Sequence, residues 1–102
     1  KFILENYGNL KKLGKTELVK LREELLNLKG IGPETADSIL LYALEKPAFV
    51  IDEYTRRFVK KHAITDNRDY QFLQALFEEK IKKDFRLYQD FHALIVIDGK
   101  NK

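Results

Sequence analysis

Hydrophobic residues recur along most of the chain at the three- and four-residue spacing of an amphipathic helix, with polar residues between them. No partner strand is evident for the one apolar run, residues 94–97, that could form a strand instead. Helices are predicted over about residues 16–28 and 33–45, after Asp52, after Asp69, and from about Asp84 onwards. The chain of 102 residues is therefore predicted to be one all-α domain, residues 1–102.

Shorter segments refine this prediction. Residues 1–7 are expected to end a helix that stops at Gly8, and Thr16 is expected to cap the next one. The apolar run Phe-Val-Ile at residues 49–51 is expected to be buried. Because the last helix has hydrophobic residues on more than one face, we expect it to be well buried and to stop at residues 98–99, Asp-Gly.

A glycine-rich turn joins the first two of these helices. Gly30, Ile31 and Gly32 are followed by Pro33, which is favoured at the first position of a helix, while glycine tolerates the positive φ of a sharp turn. The predicted unit, about residues 17–45, is a helix, a hairpin and a second helix. The second helix is expected to bury Ala36, Ile39, Leu40, Ala43 and Leu44, and to turn Asp37, Ser38 and Glu45 away from the core.

This turn has the features of a phosphate-binding site. The backbone N–H groups of Gly30 to Gly32 carry little side-chain cover, and the second helix presents free amides and its positive dipole end there. The hairpin is therefore predicted to bind the DNA backbone. The alternative is a tight helical turn that binds nothing.

Composition narrows the class of protein. The net charge of +3 suits a polyanionic partner, and 44% hydrophobic residues are typical of a globular domain. Cysteine is absent, which excludes a disulfide framework and a thiolate metal site, and a reducing cytoplasm is compatible. No apolar run approaches the ~20 residues needed to span a bilayer, and we expect a monomer.

Asp52 is the residue best placed for chemistry. It follows the buried run at residues 49–51 and begins a helix that must pack near the hairpin, so its carboxylate could stabilise a sugar cation and orient water. Spacing alone favours a simpler role, that of a helix cap.

His62 and His92 each lie on an apolar helix face, and are expected to be core histidines rather than metal ligands. Tyr42 and Tyr54 are also expected to pack in the core.

Residues 28–41, LKGIGPETADSILL, resemble the hairpin of the helix-hairpin-helix DNA glycosylases of the endonuclease III superfamily. In that family an apolar run ending in the catalytic aspartate follows about twenty residues later, as residues 49–52 do here, and Thr-Arg-Arg at residues 55–57 extends the similarity. The resemblance implies an all-α domain of the six-helix-barrel type, one part of a two-domain enzyme of base excision repair that cleaves the N-glycosidic bond of a damaged base in double-stranded DNA.

The resemblance also implies roles for particular residues. Asp52 would be the catalytic aspartate. DNA contacts are predicted for Lys29, Gly30, Ile31, Gly32, Thr35 and Arg56. The backbone carbonyls of Leu26, Leu28 and Ile31 would hold a monovalent cation, the one cofactor expected within this chain. Related enzymes frequently carry a 4Fe-4S cluster on a cysteine loop, which in the full-length protein would lie beyond residue 102. The expected location is the nucleoid of a bacterium or archaeon.

Glu34 departs from the pattern of the bifunctional members. Those enzymes have a lysine at this position, which forms a Schiff base and cuts the strand, whereas a carboxylate cannot form an imine. With Glu53 and Tyr54 after the aspartate, the chain looks most like monofunctional members that remove alkylated purines. Glu34 is a candidate for selecting the base, or its negative charge simply interacts favourably with the positive end of the helix dipole. The rival interpretation is a non-catalytic helix-hairpin-helix module that only binds DNA.

Overall fold

The computed structural model describes residues 15–100, with side chains from residue 17 onwards. Its helices are α1 (Lys15–Leu26), α2 (Pro33–Ser38), α3 (Glu53–Lys61), α4 (Tyr70–Lys80) and α5 (Phe85–Lys100). This part of the chain contains no strand, which confirms the predicted all-α fold. The predictions for residues 1–7, for Gly8 and for the side chain of Thr16 lie outside the described residues.

Two of the helices begin at aspartate caps, as predicted. The Asp52 side chain accepts a hydrogen bond from the Thr55 backbone N–H at 3.0 Å, at the start of α3. The Asp69 side chain accepts one from Phe72 N–H at 2.9 Å, at the start of α4. Each carboxylate thereby satisfies an amide that has no partner within its own helix.

The second hairpin helix differs from the predicted continuous α-helix over residues 33–45. After α2 the chain forms a π-helical segment, Ile39–Ala43, in which Leu44 N–H reaches the Ile39 carbonyl at 3.1 Å. Because the π-helical turn is wider than an α-helical turn, Leu40 packs in one hydrophobic cluster of the core, and the adjacent Leu41 packs in a second cluster. It leaves Ala43 exposed, contrary to the predicted apolar face.

The core consists of two hydrophobic clusters on either side of this segment. One cluster packs the hairpin helices together through Leu21, Leu25, Ala36, Leu40, Leu44 and Ala48. The other packs α3, α4 and α5 around the extended residues 49–51, which are buried as predicted, with Leu41, Phe49, Val50, Ile51, Val59, Leu73, Tyr88 and Ile95. Side chains of α4 bond the backbone of the extended run, since Glu78 accepts from Phe49 N–H and Gln74 donates to the Phe49 carbonyl.

Asp37 lies in the interior, and the prediction that it faces solvent was wrong. Its carboxylate is fully buried and forms a two-pronged ion pair with Arg22, at 2.7 and 2.9 Å. Tyr70 and Gln74 from α4 each donate a further hydrogen bond to it at 2.8 Å. Donors on α1 and α4 therefore surround a carboxylate of α2, and this buried charge ties the hairpin to the rest of the fold.

Helix α5 is longer and less buried than predicted. It continues to Lys100, and its Gly99 lies so close to the Tyr54 ring that any side chain there would clash, so this glycine permits close packing rather than stopping the helix. Only Tyr88 and Ile95 of this helix are buried, while Leu87, Phe91, Leu94 and Ile97 form an exposed apolar stripe. No helix within residues 15–100 has the length and apolar character to cross a bilayer.

Candidate active site and hairpin

The hairpin is closed by two backbone hydrogen bonds. Leu28 N–H donates to the Leu25 carbonyl at 3.1 Å, and Ile31 N–H donates to the Leu28 carbonyl at 3.2 Å. Gly30 has a φ of +85°, which side-chain-bearing residues rarely adopt, so the turn requires a glycine there. The Ile31 amide is consequently used inside the turn, and the expectation that it faces a ligand along with the two glycine amides was wrong.

The remaining amides of the hairpin point outwards. Within the described part of the chain, no acceptor bonds the N–H groups of Gly30 and Gly32 or those of Glu34 and Thr35 in the first turn of α2. All four residues are exposed, and a Cβ at Gly32 would have no atom of the protein within 4 Å. An anion could therefore approach this backbone directly.

Alanine substitutions at Gly30 and Gly32 should distinguish the glycine that the turn requires from the glycine that leaves room for a ligand. Gly30→Ala forces a side chain into positive φ, so we expect the free energy of unfolding to fall by about 1–2 kcal/mol. Gly32 has φ −99° and open space, so Gly32→Ala should change stability by less than about 1 kcal/mol. Its methyl group would stand where a phosphate approaches, which should weaken duplex binding about tenfold. Urea titration and fluorescence anisotropy measure the two effects; unchanged affinity in Gly32→Ala would contradict the binding prediction.

Asp52 lies in a partly open position at the start of α3. Its side chain is 18% exposed, so the carboxylate is neither sealed in the core nor free in solvent. Thr55 donates to Oδ1 from both its backbone N–H and its hydroxyl, each at 3.0 Å, and His92 Nε2 lies 2.8 Å from Oδ2.

These contacts keep Asp52 ionised. Burial opposes ionisation, but the hydrogen bonds from His92 and Thr55 outweigh it and lower the pKa of Asp52 below its ordinary value. A carboxyl whose pKa is lower in the folded chain stabilises the fold above about pH 4, and this contribution is lost as the pH falls through the folded pKa. At neutral pH the site therefore contains a fixed negative charge.

One tyrosine joins the hairpin to this carboxylate. Tyr70 Oη lies 3.2 Å from the carbonyl oxygen of Pro33, the first residue of α2. The same oxygen accepts a 3.4 Å hydrogen bond from Ile51 N–H, immediately before Asp52. Burial and the nearby charge of Asp37 raise the pKa of Tyr70, so this hydroxyl stays protonated. Because the one hydroxyl proton of Tyr70 is donated to Asp37 at 2.8 Å, Tyr70 connects α2, through Asp37, to the backbone beside Asp52.

His92 is a residue of this site that the sequence did not reveal. It was expected in the core, but its ring connects Asp52 to Tyr42, whose hydroxyl lies 2.9 Å from Nδ1. Tyr42 is 47% exposed and is not a core residue. His62 was also misplaced, because its side chain is exposed and lies 3.4 Å from Asp98. The only sequence signal for His92 was a polar residue on an apolar face of its helix.

The other predicted site residues occupy varied positions. Lys29 and Thr35 are exposed beside the turn, whereas Arg56 donates from Nε to the Arg68 carbonyl at 3.0 Å and is only partly exposed. Glu34 is exposed in the first turn of α2, where its charge complements the helix dipole. The Leu28 carbonyl, one of the three predicted cation ligands, already accepts the Ile31 hydrogen bond and keeps one lone pair for a cation.

Comparison with known proteins identifies the class of the hairpin. Residues 15–42 match the helix-hairpin-helix motif, so the chain carries this motif across α1, the glycine turn and the second hairpin helix. The match ends before Asp52 and His92, and therefore describes the hairpin and not the neighbouring carboxylate.

A relative extends the similarity to nearly the whole chain. The protein named "Putative DNA repair glycosylase MJ1434" from Methanocaldococcus jannaschii is 48% identical over 99 residues, which cover 94% of this chain. The chain spans about 45% of the length of that relative. No solved structure matches the chain. Over nearly all its length the chain is therefore similar to part of a protein named as a putative DNA repair glycosylase, and it carries the helix-hairpin-helix motif.

Proposed function

We propose that this chain is the helix-hairpin-helix part of a base-excision DNA glycosylase that hydrolyses the N-glycosidic bond of a damaged base. The observation that carries the proposal is the Tyr70 hydroxyl, which donates to Asp37 on the helix after the glycine turn and accepts from the Ile51 amide beside Asp52. A strand held at the turn would have its deoxyribose close to an ionised carboxylate. The name of the archaeal relative adds independent support.

In this proposal Asp52 acts on the sugar rather than on the base. As the bond between C1′ and the base nitrogen breaks, its electron pair leaves with the base, and the sugar becomes cationic. The carboxylate stabilises that cation and orients a water molecule, whose oxygen bonds to C1′. Asp52 takes the proton that the water loses. A base that was neutral leaves as an anion and gains a proton from solvent, whereas a cationic alkylated base leaves as a neutral molecule. The products are the free base and an abasic site in intact DNA.

DNA binding is assigned to the hairpin. The amides of Gly30, Gly32 and Thr35 would donate to a phosphate, with Lys29 and the partly exposed Arg56 adding positive charge. The Ile31 side chain, half-buried against the hairpin core, would help shape the turn. The carbonyls of Leu26, Leu28 and Ile31 would hold a monovalent cation, which when bound supplies a positive charge towards the same phosphate.

We further propose that the substrate is an alkylated purine. The support is the similarity of Glu34 and of residues 53–54, Glu-Tyr, to the alkylpurine-removing branch of the family. Duplexes carrying an alkylated purine, an oxidised purine or uracil distinguish the classes, and the full-length protein should release the alkylated base fastest. Preferential release of either of the other bases would contradict this choice.

Strand cleavage should be absent. Glu34 provides a carboxylate where a lyase needs an amine, so base release should leave a continuous strand that breaks only on treatment with alkali. Borohydride should trap no covalent protein–DNA complex. A duplex with a preformed abasic site, cleaved by an added polyamine, serves as the positive control for the gel assay. A trapped complex would show that another amine of the protein performs lyase chemistry.

A non-catalytic DNA-binding module is the second candidate, because the helix-hairpin-helix match covers only residues 15–42. The two candidates differ in a single measurement. The full-length protein is incubated with each damaged duplex, and free base is measured under conditions in which binding is complete. Base release supports the glycosylase, whereas tight binding without release from any lesion supports the module.

A further inference from the structure

Three elements of the fold contribute to one line of hydrogen bonds at Asp52. Asp52 caps α3, His92 lies on α5, and Tyr42 lies on the π-helical segment Ile39–Ala43. His92 Nε2 is 2.8 Å from Asp52 Oδ2, and His92 Nδ1 is 2.9 Å from Tyr42 Oη. The His92 side chain is 14% exposed, so the imidazole is largely shielded from water while Tyr42 covers its outer edge.

We propose that His92 is a positioning residue that aims the Asp52 carboxylate, and that Tyr42 helps to hold the imidazole in the tautomer that can do so. This inference rests on the proposed function. It assigns to α5 a part in the reaction for which neither the hairpin motif nor the sequence pattern provides evidence.

The donor and acceptor chemistry of the three groups allows one arrangement when the ring is neutral. An ionised carboxylate only accepts hydrogen bonds, so His92 must carry its proton on Nε2. Nδ1 is then a bare acceptor, and the Tyr42 hydroxyl donates to it. Burial, together with the charge of Asp52, raises the pKa of Tyr42, so the phenol remains a donor. Asp52 itself favours the Nε2–H tautomer, and the hydrogen bond from Tyr42 to Nδ1 reinforces that preference.

The same contacts indicate which carboxylate oxygen faces the substrate. Oδ1 receives both Thr55 donors, at 3.0 Å each, which uses its lone pairs. Oδ2 receives only the His92 hydrogen bond among the described residues, and one lone pair remains. The reacting oxygen is therefore Oδ2, and its direction is set by His92. A free carboxylate would rotate about its Cβ–Cγ bond and lose this alignment.

Single-turnover base release by the full-length protein tests the proposal. His92→Ala should slow the rate about 10–100-fold, as expected for loss of a hydrogen bond to a charged group, with duplex affinity unchanged. His92→Gln should recover most of the rate, because its amide can donate in place of Nε2. Tyr42→Phe should cost about fivefold in the wild-type background and nothing in His92→Gln, where no tautomer remains to be selected. His62→Ala, at an exposed histidine, is the matched control.

Imidazole nitrogen NMR provides a readout that does not depend on activity. With the ring neutral, His92 should be protonated on Nε2 and bare at Nδ1, and Tyr42→Phe should raise the share of the other tautomer. An unchanged rate in His92→Ala would overturn the proposal while leaving the glycosylase function in place, as would equal losses in His92→Ala and His92→Gln, or a wild-type ring protonated on Nδ1. Absence of base release by the wild type would instead refute the proposed function.

Discussion

Replacing Asp52 by asparagine should slow base release at least about 100-fold. The amide keeps the size of the side chain but has no charge to stabilise a sugar cation and cannot take a proton from water. Asparagine caps helices about as well as aspartate, so α3 should still begin at residue 53. The loss should therefore appear in the single-turnover rate of the full-length protein, with duplex affinity changed by less than about threefold.

Asp69→Asn provides the matched control for this variant. It makes the same chemical change at the N-cap of α4, where the side chain also accepts a helix amide at 2.9 Å but has no link to the hairpin. Asp69→Asn should release base at the wild-type rate, within about twofold. Comparable rates in Asp52→Asn and the wild type would show that Asp52 only caps its helix. Equal losses in both variants would attribute the effect to capping and not to chemistry.

The parts of the fold that depend on neighbouring residues could be predicted from the sequence. The caps at Asp52 and Asp69 are local features, since each carboxylate bonds an amide three residues later. The positive φ at Gly30 follows from the choice of residue. The burial of residues 49–51 follows from three consecutive apolar side chains in a chain of this size.

The parts that depend on distant residues were missed. The π-helical segment forms where Leu41 must reach a different cluster from Leu40, and that requirement arises from packing, not from local propensity. The stripe on α5 was expected to be covered because its residues are apolar, yet Leu94 is 60% exposed. Apolar periodicity shows which residues can be buried, and it does not show whether a partner is present.

The candidate site also contains residues that could be predicted from the sequence and one that could not. The glycine turn and Asp52 could be singled out because both lie in motifs of contiguous residues. His92 is forty residues away from Asp52 in sequence and on another helix, so its 2.8 Å contact with the carboxylate is a property of the tertiary fold. The sequence provided the glycine turn and Asp52, and the packing of α3 against α5 provided the histidine that contacts the carboxylate.

The buried ion pair at Asp37 should have the largest effect on stability. Asp37→Ala would leave the Arg22 guanidinium, which is 27% exposed, and the donors of Tyr70 and Gln74 without their fully buried acceptor. Removing one partner of a buried pair typically costs about 3–5 kcal/mol, a large share of the 5–15 kcal/mol by which a domain is usually stable. An arginine side chain is not deprotonated in proteins, so the stranded guanidinium would remain charged. Urea denaturation of the two proteins measures the difference.

The Lys61–Asp98 pair allows the effect of burial to be separated from that of charge. Its atoms are 3.2 Å apart, but the two side chains are 49% and 29% exposed, so Asp98→Ala should lower the free energy of unfolding far less than Asp37→Ala. Similar losses of stability in Asp37→Ala and Asp98→Ala would contradict the role assigned to burial.

Asp37 lies in α2, directly after the glycine turn, and Tyr70 bonds both it and the backbone at Ile51. Loss of this charge should therefore loosen the hairpin relative to Asp52, and the milder variant Asp37→Asn should lower base release more than Asp98→Ala does.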